Sequence, residues 1–420
     1  MRLENLTPAN NRFLHDQHRF IVTSAGRRSR KTLIGDTKLL TDPGRGAFEV
    51  PEFAYILGAP TRPQAKDIFW ERLKKDTKLF RYKASETELR VWLINGSIIT
   101  VAGMDKPERI EGQTNPPIKG VHLTEMGNMK PGLFDAHIRP VLSDTNGFAI
   151  IDGVPEGRDD YYDMALNAAG GVFPKTVPKQ GAYGENGAWS WHTWFSSDIL
   201  PASDLLEAKN TMDARTYRQE FEGSFEDLQG VLYYAYGAHN AIECQYDPSQ
   251  LVHIGMDFNV DPMTAVFSQI YGDEICVFGE AYLNHSNTME MRDHINELFN
   301  YKQCIIYPDS TGRAEESNAQ QSDLAILTKA GFTVRAHSIN PRRKNRIASV
   351  NSLLMSQDGT VRMRINIKNC PKLVNDLNKV QATSDGREDK TQEKEGLVHI
   401  SSALGYMCAY KFPVKDRMFQ

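Results

Sequence analysis

A basic turn between an apolar run and a helical stretch constrains the fold of this chain more than any other feature. Residues 20–22 are apolar, Ser24-Ala25-Gly26-Arg27-Arg28-Ser29-Arg30-Lys31-Thr32 follows, and residues 33–40 have helical spacing. A strand, a tight loop and a helix N-terminus together point backbone N–H groups and a positive dipole end at an anion. The pattern predicts a phosphate-binding loop. A basic surface turn is the alternative, because Ala25 and Arg30 stand where the strict loop pattern has glycine.

Composition bounds the class of protein without naming a partner. The chain has 420 residues, a formal net charge of −4 and 40% hydrophobic residues, which suits two or three globular domains with real cores. The slightly acidic balance gives no global support for binding a polyanion, so such binding must depend on local basic patches. No apolar run reaches membrane-spanning length, and the N-terminus has no hydrophobic signal core, so we expect no membrane and a cytoplasmic protein.

The five cysteines are widely scattered and have no CxxC spacing. Neither a disulfide framework nor a zinc site is indicated, and we expect reduced, mostly buried thiols. They are Cys244, Cys276, Cys304, Cys370 and Cys408.

Further strands follow in the first half, and one of them ends in an acid. Residues 91–94 and 97–101 surround Asn95-Gly96, a strong hairpin signal. The strand over residues 120–123 ends in Thr124-Glu125. In phosphate-loop enzymes a strand beside the loop ends in acidic residues that hold the Mg²⁺ water shell and align the attacking water. Glu125 is the candidate base, whereas Thr124 stands where Asp is more usual; a solvated Glu at a strand end is the alternative.

The second half predicts a separate fold. Residues 253–258, 263–270 and 274–282 read as three antiparallel strands, a helix capped by Asn287 runs from Thr288 to Phe299, and residues 304–307 form a fourth strand. This order is typical of ribonuclease-H-like folds. Three carboxylates then come close together, and converging carboxylates hold the divalent ions that cut phosphodiesters; they are Asp257, Glu280 and Asp309. Turn capping is the alternative for an isolated Asp, and Asp261, before Pro262, is predicted to form a turn.

Taken in order, these segments resemble the large terminase subunit of tailed bacteriophages, and the resemblance extends through almost the whole chain. Its additional marks are Leu6-Thr7-Pro8, Ala59-Pro60-Thr61 and Gly153-Val154-Pro155-Glu156-Gly157. The resemblance implies an α/β fold, with an ASCE-like P-loop NTPase domain followed by a ribonuclease-H-like nuclease domain. We expect the motor domain over residues 1–225, a linker over 226–248 and the nuclease over 249–420, because Gly230, Gly237 and Asp247-Pro248 break periodicity there.

The resemblance also implies roles in the motor domain. ATP, with Mg²⁺ at Thr32, is expected at Asn10, where the family usually has an adenine-reading Gln, and at Gly26, Arg27, Arg28, Ser29, Arg30, Lys31 and Thr32. Glu125 matches the catalytic Glu, and Gly153, Val154 and Pro155 match the segment that couples hydrolysis to DNA movement. Arg27, Arg28 and Arg109 are the candidates for an arginine finger, and the sequence does not choose among them.

In the nuclease domain the resemblance places metal ligands at Asp257, Glu280, Asp309 and residue 402. The family normally has Asp where this chain has Ser402. A hydroxyl lacks the carboxylate charge, so we expect weaker binding of one ion and slower cutting, with Mn²⁺ able to replace Mg²⁺. The sequence leaves open whether an acid in the preceding polar loop substitutes; the candidates are Glu388, Asp389, Glu393 and Glu395.

The densest basic patch predicts contact with DNA phosphates through charge, without base reading; it comprises Arg342, Arg343, Lys344 and Arg346. A solvated helix start is the alternative. The implied function is ATP-driven packaging of double-stranded DNA into a procapsid, with endonucleolytic cutting of concatemers. Implied partners are a portal protein, a small terminase subunit and further copies in a ring, in the host cytoplasm and docked on the procapsid. Two alternatives remain: a ribonuclease-H-like recombinase or transposase with an ATP-regulated domain, and a packaging adaptor with vestigial sites.

Overall fold

The computed structural model of the chain describes residues 6–111, 115–155, 159–174, 177, 181–226, 230–259, 261–310, 322–382, 392 and 397–414. Several sequence predictions lie outside these residues: Glu156 and Gly157 of the coupling segment, and Glu388, Asp389, Glu393 and Glu395 of the polar loop. The described residues fall into two compact units, one within 1–205 and 218–227 and the other within 206–217 and 228–420. The domain boundaries given above stay predictions.

The first unit is built around one large sheet with helices between its strands. Its strands are β1 (Phe20–Ser24), β2 (Ala54–Ala59), β3 (Arg81–Ser85), β4 (Arg90–Leu93), β5 (Ile98–Gly103), β6 (Ile118–Leu123), β7 (Phe148–Gly153), β8 (Ala182–Asn186) and β9 (Trp189–Thr193). Its helices are α1 (Pro8–Leu14), α2 (Lys31–Thr41), α3 (Arg62–Ala65), α4 (Glu71–Asp76), α5 (Glu108–Glu111), α6 (Arg139–Val141) and α7 (Asp160–Ala168). Helices α8 (Ala202–Thr211) and α9 (Ala214–Glu222) each have residues in both units.

The order of the nine strands is β3-β4-β5-β2-β6-β7-β1-β9-β8. From β5 to β9 all neighbours are parallel. Strands β1, β2 and β7 are buried along their whole length, as expected for parallel strands covered on both faces. Strand β7 lies between β1, which leads into the basic turn, and β6, which ends at Thr124. An extra strand in this position is the mark of the ASCE arrangement.

Two local features differ from the sequence predictions. Residues 169–187 are rich in Gly, Pro and Lys, a composition that predicts an exposed loop, yet the end of this stretch forms β8, which pairs with β9 across a turn at Gly187-Ala188. The apolar spacing over residues 201–221 predicts a single helix, whereas the structure has two helices there, α8 and α9. The break follows from Asp213, whose carboxylate accepts the backbone N–H groups of residues 215 and 216, both at 3.1 Å, and so starts a new helix.

The second unit has a sheet of six strands in the order β15-β14-β11-β12-β13-β16. The strands of this unit are β10 (Gly230–Val231), β11 (Val252–Asp257), β12 (Met263–Tyr271), β13 (Glu274–Leu283), β14 (Cys304–Pro308), β15 (Thr333–Val334), β16 (Met363–Ile365) and β17 (Gln381–Ala382). Its helices are α10 (Thr288–Leu298), α11 (Asp323–Lys329), α12 (Arg343–Leu354), α13 (Pro371–Lys379) and α14 (His399–Lys411).

Strands β11, β12 and β13 are antiparallel neighbours, and β14 pairs parallel to β11. This is the predicted ribonuclease-H-like order. The predicted cap of α10 is present, since the Asn287 side chain accepts backbone N–H groups of Met289 and Glu290 at 3.0 and 3.1 Å. Helix α14 packs on β11 at close range: a Cβ at Gly255 would lie 2.1 Å from the Ala403 carbonyl oxygen.

The prediction of five reduced cysteines is wrong for one pair. Cys244 and Cys276 are joined by a disulfide, with Cα atoms 6.1 Å apart. A spacing of 32 residues carries no sequence signature, and the fold, not the spacing, brings Cys244 beside β13. The thiols of Cys304, Cys370 and Cys408 are free and buried, as predicted. Among the helices of the described residues, none combines the length and apolar character needed to cross a membrane.

Candidate functional site

The basic turn adopts the backbone of a phosphate loop even though two of its glycines are replaced. Arg30, at the last glycine position, has φ 65° and caps the start of α2. Arg28 is also left-handed, with φ 57°. Each such residue costs about 1–2 kcal/mol when it is not glycine. Lys31 and Thr32 are then the first two residues of the helix, where backbone N–H groups face the loop.

Hydrogen bonds from the segment directly after β9 hold this loop. The Gly26 N–H donates to the Trp194 carbonyl at 3.1 Å. In return the Trp194 indole donates to the Ser29 carbonyl at 2.9 Å, and the Ser196 hydroxyl donates to the Arg27 carbonyl at 2.6 Å. The turn is therefore held by hydrogen bonds from the protein itself, as a preorganised anion site requires.

Helix α9 braces the loop from another side. The Arg27 guanidinium is ion-paired with Glu220, and the Arg27 N–H donates to the Glu220 carbonyl at 2.5 Å. Gly26 is needed here, since a Cβ would lie 2.3 Å from the Phe221 carbonyl oxygen. The end of α9 is thus in direct contact with the candidate nucleotide loop.

At the predicted nucleotide positions, two buried polar atoms have no hydrogen-bond partner among the described residues. They are the Ser29 hydroxyl, in the loop, and the Asn10 side-chain nitrogen, on α1. Asn10 is 1% exposed, and its side-chain oxygen accepts the Thr7 N–H at 3.3 Å. Buried polar groups without partners are rare, and a ligand that hydrogen-bonds to them is one explanation for them. The residues present therefore fit a nucleotide, with donors left over at both of these positions.

Glu125 and the coupling segment follow neighbouring parallel strands. Glu125 comes directly after β6 and Thr124, and its φ of 58° is left-handed, a strain typical of functional positions. On β7 the Gly153 carbonyl accepts the buried Tyr161 hydroxyl at 3.2 Å, and the Pro155 carbonyl accepts Gln219 from α9 at 3.4 Å. Val154 is buried between them. Helix α9 therefore touches both the loop and the predicted coupling segment.

The choice of arginine finger stays open. Arg27 is held by Glu220, and Arg28 is exposed at the loop. Arg109 lies on α5, but its side chain is outside what the structure describes.

The sequence analysis does not single out Asp152, Asp36 and His122 as site residues. His122 is fully buried between the two carboxylates, at 2.8 Å from Asp36 Oδ1 and 2.6 Å from Asp152 Oδ2. In the sequence Asp152 directly follows the apolar residues 148–151, so it reads as an ordinary acid near a strand end. The one signal available for its role is that an acid is present near the end of this strand, while the neighbouring strand has Thr124 where such an acid is usual.

In the second unit the structure brings two of the predicted carboxylates together. Strands β11 and β14 are parallel neighbours, with Met256 opposite Pro308, so Asp257 and Asp309 follow at the same sheet edge on the same face. Asp309 is held by Asn340, which donates to it at 2.6 Å, and by the Tyr406 hydroxyl at 3.2 Å.

Helix α14 covers this edge. His399 Nδ1 lies 3.3 Å from Asp257 Oδ2, and Tyr406 reaches Asp309. Ser402 is three residues after His399 and four before Tyr406, so all three share one helix face. Ser402 therefore occupies the face that meets both aspartates. The sequence analysis does not include His399 or Tyr406 among the site residues.

Glu280 lies on the same face of the sheet but is engaged elsewhere. On β13 it is level with Gly255, two residues before Asp257 on β11. Its two oxygens accept the backbone N–H groups of Lys372 and Leu373, both at 2.8 Å, at the start of α13. Burial raises its pKa. The structure does not show Glu280 sharing a ligand position with Asp257.

Among the described residues no group of three His, Cys, Asp or Glu side chains is placed to hold a metal ion. Two aligned carboxylates are nevertheless the oxygen donors that Mg²⁺ and Mn²⁺ use, and the residues present fit one divalent ion at Asp257 and Asp309. A second ion would lack the anionic ligand at position 402.

The basic patch is not uniform. The members differ in their access to solvent: Arg342 and Lys344 are exposed, Arg343 is half-buried, and Arg346 is 9% exposed. Arg346 lies over the Tyr406 ring at 4.2 Å, beside the aspartate pair. The first three members of the patch are therefore the ones with the solvent access that DNA phosphates need.

Comparisons with known proteins point in one direction. No family model matches the chain. The terminase large subunit of Escherichia phage T5 is 23% identical over 252 residues, 57% of this chain and 51% of that protein. That of Thermus phage G20c is 22% identical over 269 residues, 60% of this chain and 53% of that protein. The chain thus spans about half the length of the curated relatives it matches.

Solved structures give the fold over nearly the whole chain. The large terminase of a thermophilic bacteriophage superimposes with a TM-score of 0.64 at 12% identity, covering 96% of this chain and 98% of that one. The same protein in complex with ADP gives 0.62, with 96% and 99% covered. This chain has the fold of a phage large terminase. The predicted resemblance and fold class are therefore confirmed, whereas the roles of individual site residues stay predictions.

Proposed function

We propose that this chain is a viral DNA-packaging motor that hydrolyses ATP to move double-stranded DNA into a procapsid, and that it carries a metal-dependent endonuclease. The observation that supports the motor most is the order β1-β7-β6. In this order the basic turn and Glu125 both follow parallel strands at the same sheet edge, where ligands of such sheets bind, and this supports the proposal.

In the motor site each residue has a defined task. The Lys31 ammonium and the first N–H groups of α2 bind the phosphates. Glu125 orients the attacking water and takes its proton. Bound Mg²⁺ would neutralise charge on the transferred phosphoryl group. Asn10, with a spare buried donor, reads the base.

The second site performs phosphodiester cleavage. Asp257 and Asp309 are the ligands, and Asn340 and Tyr406 fix the orientation of Asp309. A divalent ion held there would activate water and stabilise the leaving oxygen. DNA phosphates meet Lys344 and its two arginine neighbours at 342 and 343, and this contact predicts binding that weakens with salt.

The partners of the proposed motor are those that the terminase resemblance implies. They are double-stranded DNA, a portal protein, a small terminase subunit and further copies of the chain in a ring. The place of action is the host cytoplasm, with the motor docked on the procapsid during packaging.

The test is DNA-stimulated ATP hydrolysis by the wild-type chain and by Glu125→Gln. Loss of the base should lower kcat by at least about a hundredfold, with ATP binding retained. Glu88→Gln, at an exposed glutamate, is the matched control and should match the wild type. Equal rates in all three proteins would contradict the assignment of Glu125.

An adaptor with vestigial sites is the second candidate, because Arg30 and Ser402 replace residues that such sites normally use. The same experiment separates the two. A wild-type chain that neither binds nor hydrolyses ATP, with or without DNA, supports the adaptor.

A further inference from the structure

The end of β6 lacks the carboxylate that a phosphate-loop site normally has beside its base. Thr124 occupies that position and is 1% exposed. Its hydroxyl donates to Asp152 Oδ1 at 2.8 Å. Asp152 is the penultimate residue of the neighbouring strand β7. The register pairs Leu123 with Ile151, so Thr124 and Asp152, the next residues along, are adjacent across the sheet.

Asp152 also reaches the phosphate loop. The Thr32 hydroxyl donates to Asp152 Oδ1 at 3.3 Å and lies 3.1 Å from the Thr124 hydroxyl. Strand β7 is next to β1, with Thr23 opposite Asp152. A carboxylate on β7 is therefore one strand spacing, about 4.8 Å, nearer to β1 than one on β6.

A buried network fixes this carboxylate in place. Asp152 Oδ2 is occupied by His122 Nε2 at 2.6 Å, so Oδ1 is the oxygen directed at the loop. His122 is anchored on its other nitrogen by Asp36, which is ion-paired with Arg72. Gly35 on α2 makes room for the ring, since a Cβ there would lie 2.6 Å from His122 Cε1.

We infer that Asp152 supplies from β7 the carboxylate that position 124 lacks: it holds the Thr32 hydroxyl and the water shell of the Mg²⁺ that accompanies the nucleotide. This inference rests on the proposed ATP site. It assigns Asp152 as a metal-site residue and His122 as the residue that positions it. Thr124 serves as a hydroxyl bridge between the carboxylate and Thr32.

The inference is tested by binding of a fluorescent ATP analogue, measured with Mg²⁺ and with a chelator in its place. The ratio of the two Kd values is the Mg²⁺-dependent gain. Asp152→Asn keeps the shape of the side chain and should reduce that gain at least tenfold, with little change in Kd under chelator. The double variant Asp152→Asn/Thr124→Asp, which moves the charge to β6, should recover part of the gain.

Asp16→Asn is the matched control. Asp16 is also buried and also contacts a histidine and a hydroxyl, His192 at 2.6 Å and Ser190 at 2.5 Å. In the described contacts it meets neither Thr32 nor Thr124. It should keep the wild-type gain. A loss of gain equal to that in Asp152→Asn would mean that any buried carboxylate matters, and would overturn the inference.

Thr124→Asp alone tests the inference where Asp152→Asn fails to fold. Because Asp152 is in place, a second carboxylate should raise the Mg²⁺-dependent gain less than threefold. A tenfold rise in Thr124→Asp would show that the wild-type site lacks a carboxylate, and would overturn the inference. An unaltered gain in folded Asp152→Asn would show that Asp152 does not serve the metal site, and would overturn it as well. Wild-type protein that binds no nucleotide at all would overturn the proposed function, and the inference with it.

Discussion

On the proposed assignments, the two units of this chain each lack one acid that sites of their kind normally have, and they differ in what surrounds the position of the missing acid. In the first unit Thr124 is bonded to a buried carboxylate, Asp152, on the next strand. In the second unit Ser402 lies on the helix face that meets Asp257 and Asp309, and among the described residues two further acids of this unit, Glu280 and Asp376, are engaged with helix starts. A carboxylate can take the place of a missing metal ligand only when its oxygens do not already accept backbone N–H groups.

The engaged acids of the second unit are Glu280 and Asp376. Glu280 accepts two backbone N–H groups at the start of α13. Asp376 accepts those of Val398 and Ser401, at 2.8 and 3.2 Å, at the start of α14. Each side chain thus caps the start of a helix that packs on the sheet. We therefore expect the first unit to bind its metal ion with full affinity, and the second unit to bind its metal ion more weakly.

The largest expected effect tests whether the second unit has a working site. Asp257→Asn removes one of the two aligned carboxylates and should lower Mn²⁺-dependent cleavage of plasmid DNA about a thousandfold, or about 4 kcal/mol in activation free energy. Asp261→Asn, four residues on in a turn, should cleave at the wild-type rate. No cleavage by the wild-type chain would break the comparison, because the second unit would then have no active site.

A smaller effect, on stability, tests whether Asp376 belongs to the fold of α14. Burial raises its pKa to about 6, whereas an unfolded Asp titrates near about 4. Between about pH 4 and pH 6 the folded state therefore keeps a proton that the unfolded chain has lost, and stability falls as pH rises. The fall should approach about 3 kcal/mol above pH 6.

Asp376→Asn cannot titrate but can still accept both N–H groups, so the fall between about pH 4 and pH 6 should disappear. Hydrogen exchange in peptides from α14, corrected for the intrinsic effect of pH on exchange, measures it. The control is Asp293→Asn, on the solvent side of α10, and should keep the wild-type slope. The same slope in Asp376→Asn would mean that Asp376 is not the group that titrates.

These acids also mark the limit of what the sequence can predict. The Asn95-Gly96 hairpin and the Asn287 cap are predictable because their signals are local. Asp152 and His122 are not, because their importance depends on β7 lying between β1 and β6, and strand order is set by packing across the whole sheet.

Other differences have both causes. The hairpin of β8 and β9 carries a local Asn186-Gly187 signal like the one at residues 95–96 and is predictable, whereas the position of β9 beside β1 depends on packing across the sheet. The sequence places Glu280 on the correct strand, but the helix start that occupies it comes about ninety residues later in the chain. Local patterns predict elements, whereas which carboxylate remains available depends on tertiary contacts.

A third prediction concerns the gap in the second unit itself. Ser402→Asp places a carboxylate on the face of α14 that meets both aspartates, so Mn²⁺ should bind about tenfold more tightly, about 1.4 kcal/mol. Calorimetric titration measures this, with Ser402→Asn as the neutral control of similar shape. Unchanged affinity in Ser402→Asp would mean that position 402 does not reach the metal and that the second unit is not missing an acid there.

The smallest effect concerns the first unit, where the departure from the usual pattern lies in the backbone. Arg30 has φ 65° at a position that glycine normally fills. Arg30→Gly relieves about 1–2 kcal/mol of strain, but glycine gains about 0.5–1 kcal/mol of freedom in the unfolded chain, so the net gain in stability should be at most about 1.5 kcal/mol. Arg139→Gly, at φ −60°, has no strain to relieve and should lose stability in a thermal melt. If Arg30→Gly also loses stability, the Arg30 side chain makes contacts that outweigh its backbone strain. Arg30 would then compensate for the missing glycine of the loop, as Asp152 is inferred to compensate for the missing acid at position 124.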